Sequence, residues 1–393
     1  MTFSLLIGVK NNLAYTQYVY EQTRLIYPEV EIVFVSYGST DGTHEWLDTL
    51  HDEHVRFYHE PVEKTLSDTY NKATQLATSA YVIFAHNDMV LAPGFLEALA
   101  PLQTDNRVIS YTTVEPPIFA DDERPGKIVR DFGDGLDTFQ RDAFFAFAEQ
   151  QQRTNQQANR TVDTRNKLSF FLSVSRRVLL DMGGLDPLFN PMFCEDDDLL
   201  LRFQLKGLEP VVSLDAICYH FVSKTSRFSA EYQQRTQRIE AQSIRNFIRK
   251  WGFRNSGPVK RSYDIGLVLP NATTDVLRVV EPWCRTIYTN ADVESFIREE
   301  QPLTSVDLRV KFRRLTEPVT NDVVVRVNAR HVSANRIEAL PELIANRLNK
   351  PRSWLKRLVN VFYPTFHREG MRIRIVNPRS HETQLINRQT VNA

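Results

Sequence analysis

The sequence predicts an α/β protein: a mostly parallel sheet flanked by helices, followed by a smaller C-terminal α/β domain. Strand-like apolar runs alternate with helical segments over about the first 110 residues, and this alternation restarts at Tyr263. Alternating strands and helices are typical of a parallel sheet that is covered on both faces. The length of 393 residues also exceeds what one hydrophobic core usually holds, so two domains are expected.

The elements of the first domain follow in order. Strands are predicted at Phe3–Val9, Glu31–Val35, Val55–Tyr58, Tyr81–Ala85, Leu168–Val174 and Val211–Tyr219. Helices are predicted at Tyr15–Leu25 and Ser67–Ala77. Two more begin near Thr43 and near Arg176, and a further one ends at Lys206. Residues 115–165 read as a polar, low-complexity excursion near the site, with one aromatic helix around Phe139–Ala148.

The remaining elements divide the chain into domains at 1–235 and 261–393, joined by a linking helix within 236–260. That helix is the end of a long polar helix predicted at Ser229–Trp251. In the second domain, strands are predicted at Ile265–Leu269, Arg285–Tyr288, Leu308–Phe312 and Val323–Val327, and helices at Thr274–Val280, Ala334–Leu348 and Ser353–Phe362.

The charge is distributed unevenly along the chain. Residues 1–240 contain 22 Lys and Arg against 34 Asp and Glu, a net charge of −12; residues 241–393 contain 26 against 14, a net charge of +12. Two explanations stay open: the halves attract each other, or the basic half faces a polyanion such as nucleic acid or an anionic glycan.

The remaining composition points to a cytoplasmic protein. The three cysteines, Cys194, Cys218 and Cys284, form neither a zinc spacing nor an even disulfide framework, which suits a reducing compartment. The start of the chain reads as a first strand rather than a signal peptide. No apolar stretch approaches the roughly 20 residues that a transmembrane helix needs.

Two groups of polar residues follow predicted strands, where ligands bind in open α/β sheets. His86-Asn87-Asp88 ends a very apolar strand and offers oxygen for Mg²⁺ or Mn²⁺, although a turn before Pro93 explains it equally well. His220 follows the strand Val211–Tyr219 and either completes a metal site or is structural. Lys224 and Arg227 come next and suit phosphate charge.

A block of four carboxylates, Glu195 to Asp198, stands beside an apolar run. Such carboxylates repel one another, which raises some of their pKa values. One explanation is an acidic helix N-terminus. The other is a general base for an acceptor hydroxyl, with neighbours that position the acceptor.

Taken in order, these motifs resemble those of the family 2 glycosyltransferases, which have the nucleotide-sugar-binding GT-A fold. The resemblance covers roughly residues 2–227. It rests on SLLIGVKNN, VFVSYGSTDGT with Gly38–Thr43, Asn71, the HND triplet at 86–88, Gly183-Gly184-Leu185-Asp186, and the block Glu195–Asp198 followed by Arg202 and Gly207. Each motif is weak by itself, whereas the ordered set is specific.

The resemblance implies metal-dependent transfer of a sugar from a nucleotide-sugar to an acceptor hydroxyl, with inversion. It makes Asp88 and His220 the ligands of Mn²⁺ or Mg²⁺ and Asp196 the base. The acceptor is expected beside Glu195, Asp197 and Asp198. The donor, expected to be UDP-linked, is predicted to contact Gly8, Ser36, Tyr37, Lys64 and Asn87.

Two departures from the family pattern bear on the donor and the metal. Ser36-Tyr37 replaces an Asp pair that contacts the base of the donor, and the ring of Tyr37 offers stacking instead. His86 replaces the first Asp of the metal signature, while Asp88 keeps its last position.

The acceptor is open at this stage: a hydroxylated base in DNA, or a glycan or lipid-linked acceptor. For DNA, the expected phosphate contacts are Arg309, Lys311, Arg313, Arg314, Lys350, Arg352, Lys356 and Arg357, beside Trp354. Two other classes also stay open: a catalytically degenerate protein that binds a nucleotide-sugar or a polyanion, and a nucleotidyltransferase on a related sheet.

Overall fold

A computed structural model describes residues 1–119, 121, 124, 126–164, 168–222, 230–256, 258–349 and 365–388. The chain forms two compact units. The first comprises Met1–Gln237 together with Asn387–Ala393, and the second comprises Arg238–Ile386. The long helix α8 (Ala230–Trp251) contains the division between them.

The first unit is built on a mixed, mostly parallel sheet. Its strands are β1 (Phe3–Val9), β2 (Glu31–Tyr37), β3 (Val55–Glu60), β4 (Tyr81–His86), β5 (Met89–Leu91), β6 (Arg107–Glu115), β7 (Lys127–Val129), β8 (Val162–Asp163), β9 (Leu172–Ser175) and β10 (Glu209–His220). Their main order is β3-β2-β1-β4-β9-β6-β10-β5. The pairs among β3, β2, β1 and β4 are parallel, as is β6 with β10, whereas β9 and β5 run antiparallel.

Helices cover this sheet, which confirms the predicted α/β fold class. They are α1 (Leu13–Ile26), α2 (Thr43–Asp48), α3 (Leu66–Leu76), α4 (Phe95–Leu99), α5 (Arg141–Gln157), α6 (Arg176–Asp181) and α7 (Glu195–Lys206). The central strands are apolar on both faces, with Leu6 and Val33 as fully buried as Leu5 and Ile32. Such runs are typical of a parallel sheet between two helical layers.

Helix α3 packs closely on the sheet because β1 has a glycine at the crossing point. A Cβ built on Gly8 would lie 2.9 Å from Cγ2 of Thr69. Tyr70 then donates from its hydroxyl to the carbonyl of Ala85 at 2.8 Å, which ties α3 to β4. The helix begins with a capping box formed by Thr65 and Asp68.

The polar excursion of residues 115–165 is more regular than predicted. The glutamine-rich run is helical, since α5 extends from Arg141 to Gln157, well beyond the predicted end at Ala148. Phe144 and Ala148 are fully buried, so this polar helix is held by one apolar stripe. Short strands β7 and β8 also lie within the range.

The second unit is a smaller α/β sheet with the order β13-β12-β11-β14-β16-β15. Its strands are β11 (Ile265–Val268), β12 (Thr286–Thr289), β13 (Phe312–Arg314), β14 (Val323–Val327), β15 (Phe366–Arg368) and β16 (Met371–Ile375). Its helices, besides the end of α8, are α9 (Thr274–Val280), α10 (Glu294–Glu300), α11 (Ala334–Glu338) and α12 (Leu340–Asn349).

Several predictions for the second unit were wrong or incomplete. Leu308–Phe312 is not a strand: a 3-10 turn at Arg309–Lys311 precedes β13, and the side chain of Lys311 is buried against Glu281. The antiparallel hairpin of β15 and β16 was not predicted. The predicted helix Ser353–Phe362 lies outside the described residues. No helix in the described ranges is both long and apolar enough to cross a bilayer.

Candidate active site

Three potential metal ligands meet where β4, β5 and β10 end or begin. One ligand atom each from His86, Asp88 and His220 lies within 4.8 Å of the others. His86 ends β4, Asp88 directly precedes β5, and His220 ends β10. We call these three residues the His–Asp–His cluster.

Strand register brings Asp88 and His220 together. In the antiparallel pair of β5 and β10, His220 lies opposite Met89, the residue after Asp88. The amide of Phe221 donates to the carbonyl of Asp88 at 3.1 Å. As a result, Nε2 of His220 lies 3.4 Å from Oδ1 of Asp88, and both residues are buried.

Glu115, a site residue that was not predicted from the sequence, supports His220 from the other side. It ends β6, whose parallel register with β10 pairs Val114 with Tyr219. Its Oε1 lies 2.7 Å from Nδ1 of His220, and its carboxylate also contacts Arg124 and, at 3.7 Å, Lys127. The available signal was its place at the end of an apolar strand, directly before Pro116-Pro117.

The charges of this cluster are strongly coupled. Burial by itself would lower the pKa of His220, but the carboxylates of Asp88 and Glu115 raise it to about 9. Burial would likewise raise the pKa of Asp88 and of Glu115, yet the nearby His220 holds both below their usual values. Each buried charge therefore depends on its partners.

The donor set fits a divalent cation. Imidazole nitrogen and carboxylate oxygen are ligands that Mn²⁺ accepts. Because the carboxylate of Glu115 only accepts hydrogen bonds, Nδ1 of neutral His220 carries the proton, and the Nε2 lone pair is the one directed at the cluster. A carboxylate that fixes a ligating histidine in this way is common at metal sites.

Of the predicted donor contacts, Ser36 has a structural environment. Its side chain is fully buried, and its Oγ lies 2.8 Å from Oγ of Ser39 and 3.1 Å from Nε2 of His44. The predicted contact between this hydroxyl and a donor is therefore unsupported, because the hydroxyl already has two partners inside the protein.

Tyr37 and Lys64 lie together. The Nζ of Lys64 stands 4.7 Å from the centre of the Tyr37 ring, a cation–π distance, and 2.8 Å from a carboxylate oxygen of Glu60. Tyr37 is only 5% exposed, so its ring is covered rather than open for stacking. Lys64 is the more accessible of the two, with 38% of its side chain exposed.

The two remaining donor predictions involve residues that hold the fold locally. Asn87 donates from Nδ2 to Oγ1 of Thr16 at 3.0 Å and to the carbonyl of Asn11 at 3.3 Å. Gly8 admits helix α3, as described above. Both residues adjoin the His–Asp–His cluster. Asn87 lies between His86 and Asp88 in the chain, and Gly8 pairs with His86 in the sheet.

The GSTDGT motif at 38–43 fastens the loop after β2 to the loop after β1. Asp41 accepts from the amide of Leu13 at 2.8 Å, and Asn11 accepts from the amide of Thr40 at 2.8 Å. Burial alone would raise the pKa of Asp41, but the hydrogen bonds from Thr43 and Leu13 lower it. The motif thus fixes the edge of the sheet at which the strands β1 and β2 end.

The carboxylate block Glu195–Asp198 forms the first turn of α7, after Cys194 with φ 64°. Oε2 of Glu195 is buried without a hydrogen-bond partner in the described part of the chain. Burial, reinforced by Asp196, raises the pKa of Glu195 to about 8. Burial and the neighbouring Asp197 raise the pKa of Asp196 to about 6.

Asp198 has a different environment from the rest of the block. It is fully buried, and its Oδ2 accepts from Nε of Arg202 at 2.8 Å, while Arg202 also donates to the carbonyls of Met182 and Gly184. An acceptor cannot reach a side chain with no exposed surface. We therefore replace its predicted acceptor-side role with a proposed structural one.

Helix α3 holds the segment that leads into the block. The side chain of Asn71 forms two hydrogen bonds with the backbone of Leu185. Its Nδ2 donates to the carbonyl of Leu185 at 2.9 Å, and its Oδ1 accepts from the backbone N–H of Leu185 at 2.8 Å. Thr65, the cap of α3, donates to Oδ1 of Asn190 at 2.8 Å. Among the described residues, Asp196 forms no hydrogen bond or ion pair with Asp88 or His220.

Comparison with known proteins identifies the first unit. Residues 4–166 match the family described as Glycosyl transferase family 2. The first unit carries a family 2 glycosyltransferase domain. No curated protein sequence matches the chain.

Solved glycosyltransferase structures resemble the chain at low identity. They include GalNAc-T7 with UDP, GalNAc and Mn²⁺ (13% identity, 64% of this chain and 48% of that chain, TM-score 0.44). Others are TarS 1–349 of S. aureus in complex with UDP (15%, 62% and 65%, 0.40) and the mannosyltransferase PcManGT of Pyrobaculum calidifontis with GDP-Man and Mn²⁺ (15%, 91% and 78%, 0.42). The chain spans about half the length of the GalNAc-T7 chain that it matches.

Proposed function

We propose that this glycosyltransferase moves a sugar from a nucleotide-sugar to an acceptor hydroxyl with inversion, using a divalent cation held by Asp88 and His220. The observation that supports the proposal best is the His–Asp–His cluster, whose ligand atoms lie within 4.8 Å of one another. It forms at the carboxyl ends of β4 and β10, where ligands bind in open α/β sheets.

The residues of the cluster have distinct proposed roles. Asp88 and His220 ligate the cation, His86 adds a third donor atom, and Glu115 keeps Nε2 of His220 pointed at the site. When bound, Mn²⁺ or Mg²⁺ would neutralise diphosphate charge and so stabilise the leaving group. Glu115 acts through His220, so it is a positioning residue.

Asp196 is the proposed base. In a single displacement, the acceptor oxygen forms a bond to the anomeric carbon while the bond from that carbon to the diphosphate oxygen breaks. The acceptor proton passes to the carboxylate of Asp196, and the nucleoside diphosphate departs with the electron pair. A raised pKa of about 6 makes Asp196 a better proton acceptor than an ordinary aspartate, and it still leaves the group ionised at neutral pH.

For the donor we propose a UDP-linked sugar held mainly by Lys64 and by backbone groups of the loops after β1 and β2. Ser36 and Asn87 then act by fixing those loops, since both are engaged inside the protein. The acceptor-side neighbours are Glu195 and Asp197. The proposed acceptors are those predicted from the sequence: a hydroxylated base in DNA, or a glycan or lipid-linked acceptor.

Thermal shift with a panel of nucleotide-sugars, with and without Mn²⁺, tests the proposal. We expect one nucleotide class to raise Tm only in the presence of the cation, and slow hydrolysis of that donor to release the nucleoside diphosphate. Asp88→Asn should remove the cation-dependent part of the shift. A chain that neither binds nor turns over any nucleotide-sugar would instead be a degenerate member of its family.

A further inference from the structure

The second unit presents a strip of cationic side chains on one face of its sheet. In β14, β15 and β16, all exposed residues are basic. Arg326, His367, Arg372 and Arg374 share one face, whereas Arg368 lies opposite Met371 and therefore on the other. The alternate residues of β14 and β16 point to the other face and are buried in the apolar core.

Strand register places these cations next to one another. Arg326 of β14 lies directly opposite Arg372 of β16, and Arg372 lies opposite His367 of β15. Arg374 follows Arg372 by two residues on the same face, about 6.8 Å along the strand. We call Arg326, Arg372, Arg374 and His367 the arginine face.

This arrangement is unfavourable without a partner. Like charges directly opposite each other in a sheet destabilise it. Within the described ranges, Arg326, Arg372 and Arg374 form no ion pair. Two other arginines of the same unit do have carboxylate partners, since Arg245 and Arg249 both contact Glu281 and Glu300.

The rest of the same sheet face is covered differently. Val268, Tyr288 and Val324 are buried there beneath Leu315 and Val319. The arginine face therefore adjoins an area that the chain covers with its own apolar side chains, while Arg326, Arg372 and Arg374 are exposed residues.

We propose that the arginine face binds the phosphodiester backbone of a nucleic acid. Guanidinium groups bond phosphate oxygens in a bidentate manner, which favours Arg at phosphate sites. Their repetition across and along the strands suits a ligand with regularly spaced phosphates. A membrane surface fits less well, because these three strands expose no apolar side chain that would enter a bilayer.

The surface differs from the one predicted from the sequence. Lys311 is buried and bonded to Glu281, so it is unavailable to phosphate, and Arg309 lies 3.4 Å from Glu294. Arg313 lies 3.9 Å from Glu317. The predicted cluster around Lys350–Arg357 lies outside the described residues. Net positive charge indicates the second unit, but strand register decides which of its arginines share a face.

The inference concerns binding alone and is independent of the proposed function, so its test omits donor and cation. Fluorescence anisotropy would measure the affinity of the full chain for a short labelled DNA duplex between about 50 and 200 mM salt. The test variant is R326Q/R372Q/R374Q. The matched control is R278Q/R298Q/R309Q, which removes the same charge from other positions of the second unit.

We expect binding that weakens steeply with salt. The face variant should weaken it more than about tenfold at low salt and reduce the salt slope by about two to three, whereas the control changes affinity by less than about twofold. Circular dichroism should show both variants folded. If the triple variant fails to fold, R372Q alone should reduce the slope by about one.

Three results would overturn the proposal. One is equal weakening by both triple variants, which would make net charge the only cause. The second is the absence of wild-type binding at the lowest salt. The third is binding to anionic lipid vesicles without binding to DNA, which would assign the face to a membrane surface.

Discussion

Nδ1 of His220 lies 2.7 Å from Oε1 of Glu115, so the last residues of two neighbouring parallel strands form a buried imidazole–carboxylate pair. The pair fixes the ring and directs Nε2 toward Asp88. Arg124 and Lys127 in turn hold the carboxylate of Glu115. The geometry of the proposed cation site is thus set by a residue that does not contact the cation itself.

We expect Glu115→Gln to weaken the apparent affinity for Mn²⁺ by about 10- to 100-fold, because the ring of His220 loses its charged partner. Calorimetric titration of Mn²⁺ and the cation dependence of activity would measure the loss. At saturating Mn²⁺, kcat should recover most of its value. Glu209→Gln, at the exposed opposite end of β10, is the control and should leave the Mn²⁺ affinity unchanged.

Asp196→Asn should reduce transfer by about 100- to 10,000-fold while donor binding stays within about twofold of the wild type. The amide keeps the size of the side chain but cannot take a proton. Asp181→Asn, which changes an exposed aspartate at the end of α6, is the matched control and should retain activity. Normal turnover by Asp196→Asn would show that another group is the base.

The pH dependence follows from the pKa of Asp196. Only its ionised form accepts a proton, so kcat/KM should rise about tenfold per pH unit below pH 6 and level off above it. Rates measured across pH 4.5 to 8 at saturating Mn²⁺ would show this rise in kcat/KM. Affinity for Mn²⁺ must be measured at each pH, because the ligands of the cluster also titrate. If kcat/KM instead levelled off near pH 4, the base would be a carboxylate in an ordinary environment.

Local patterns in the sequence identified six strands of the first unit, but they missed β6 (Arg107–Glu115) and the short strands β5, β7 and β8. The strands β1, β2 and β4 are unbroken apolar runs, and amphipathic helices separate them along the chain. The hydrophobic period and the length of each run therefore identify them. The hairpin of β15 and β16 was missed because its strands are short and rich in arginine, and such strands are stabilised by their neighbours rather than by local preference.

The candidate site was predictable where a residue follows a strand and unpredictable where register decides. Asp88 and His220 could be named from their positions after strands. Glu115 also ends an apolar strand, but its contact with His220 depends on β6 lying beside β10, which no local pattern determines. Asp198 shows a different limit: its i,i+4 spacing to Arg202 is visible in the sequence, but the burial of the pair depends on tertiary packing.

Glu195 should make stability depend on pH. Its pKa is about 8 in the folded protein and near 4.5 in the unfolded chain, so the folded state binds the proton more tightly. This contribution is complete below pH 4.5 and is lost as pH rises through 8. Glu195→Gln should therefore raise Tm at pH 9 by several degrees relative to wild type, with the difference shrinking toward pH 5. A difference that is constant with pH, in thermal melts, would contradict the assignment.

Asp198→Asn should destabilise the first unit, because it leaves the guanidinium of Arg202 buried without a countercharge. Breaking one side of a buried pair costs about 3–5 kcal/mol, which corresponds to a Tm lower by roughly 10 °C. Thermal melts followed by circular dichroism would measure it. Asp105→Asn, which breaks the exposed pair with Arg177, is the control and should cost less than about 1 kcal/mol.

A double replacement separates the structural role from an acceptor-side role. D198L/R202M removes both charges, yet it leaves the carbonyls of Met182 and Gly184 without their donor, so stability should return only in part. Total activity should follow stability in both variants, while activity per folded molecule stays near the wild-type value. If Asp198→Asn instead kept its Tm and raised the KM for acceptor, the carboxylate would have to reach the acceptor, and its assignment as a buried structural partner of Arg202 would be wrong.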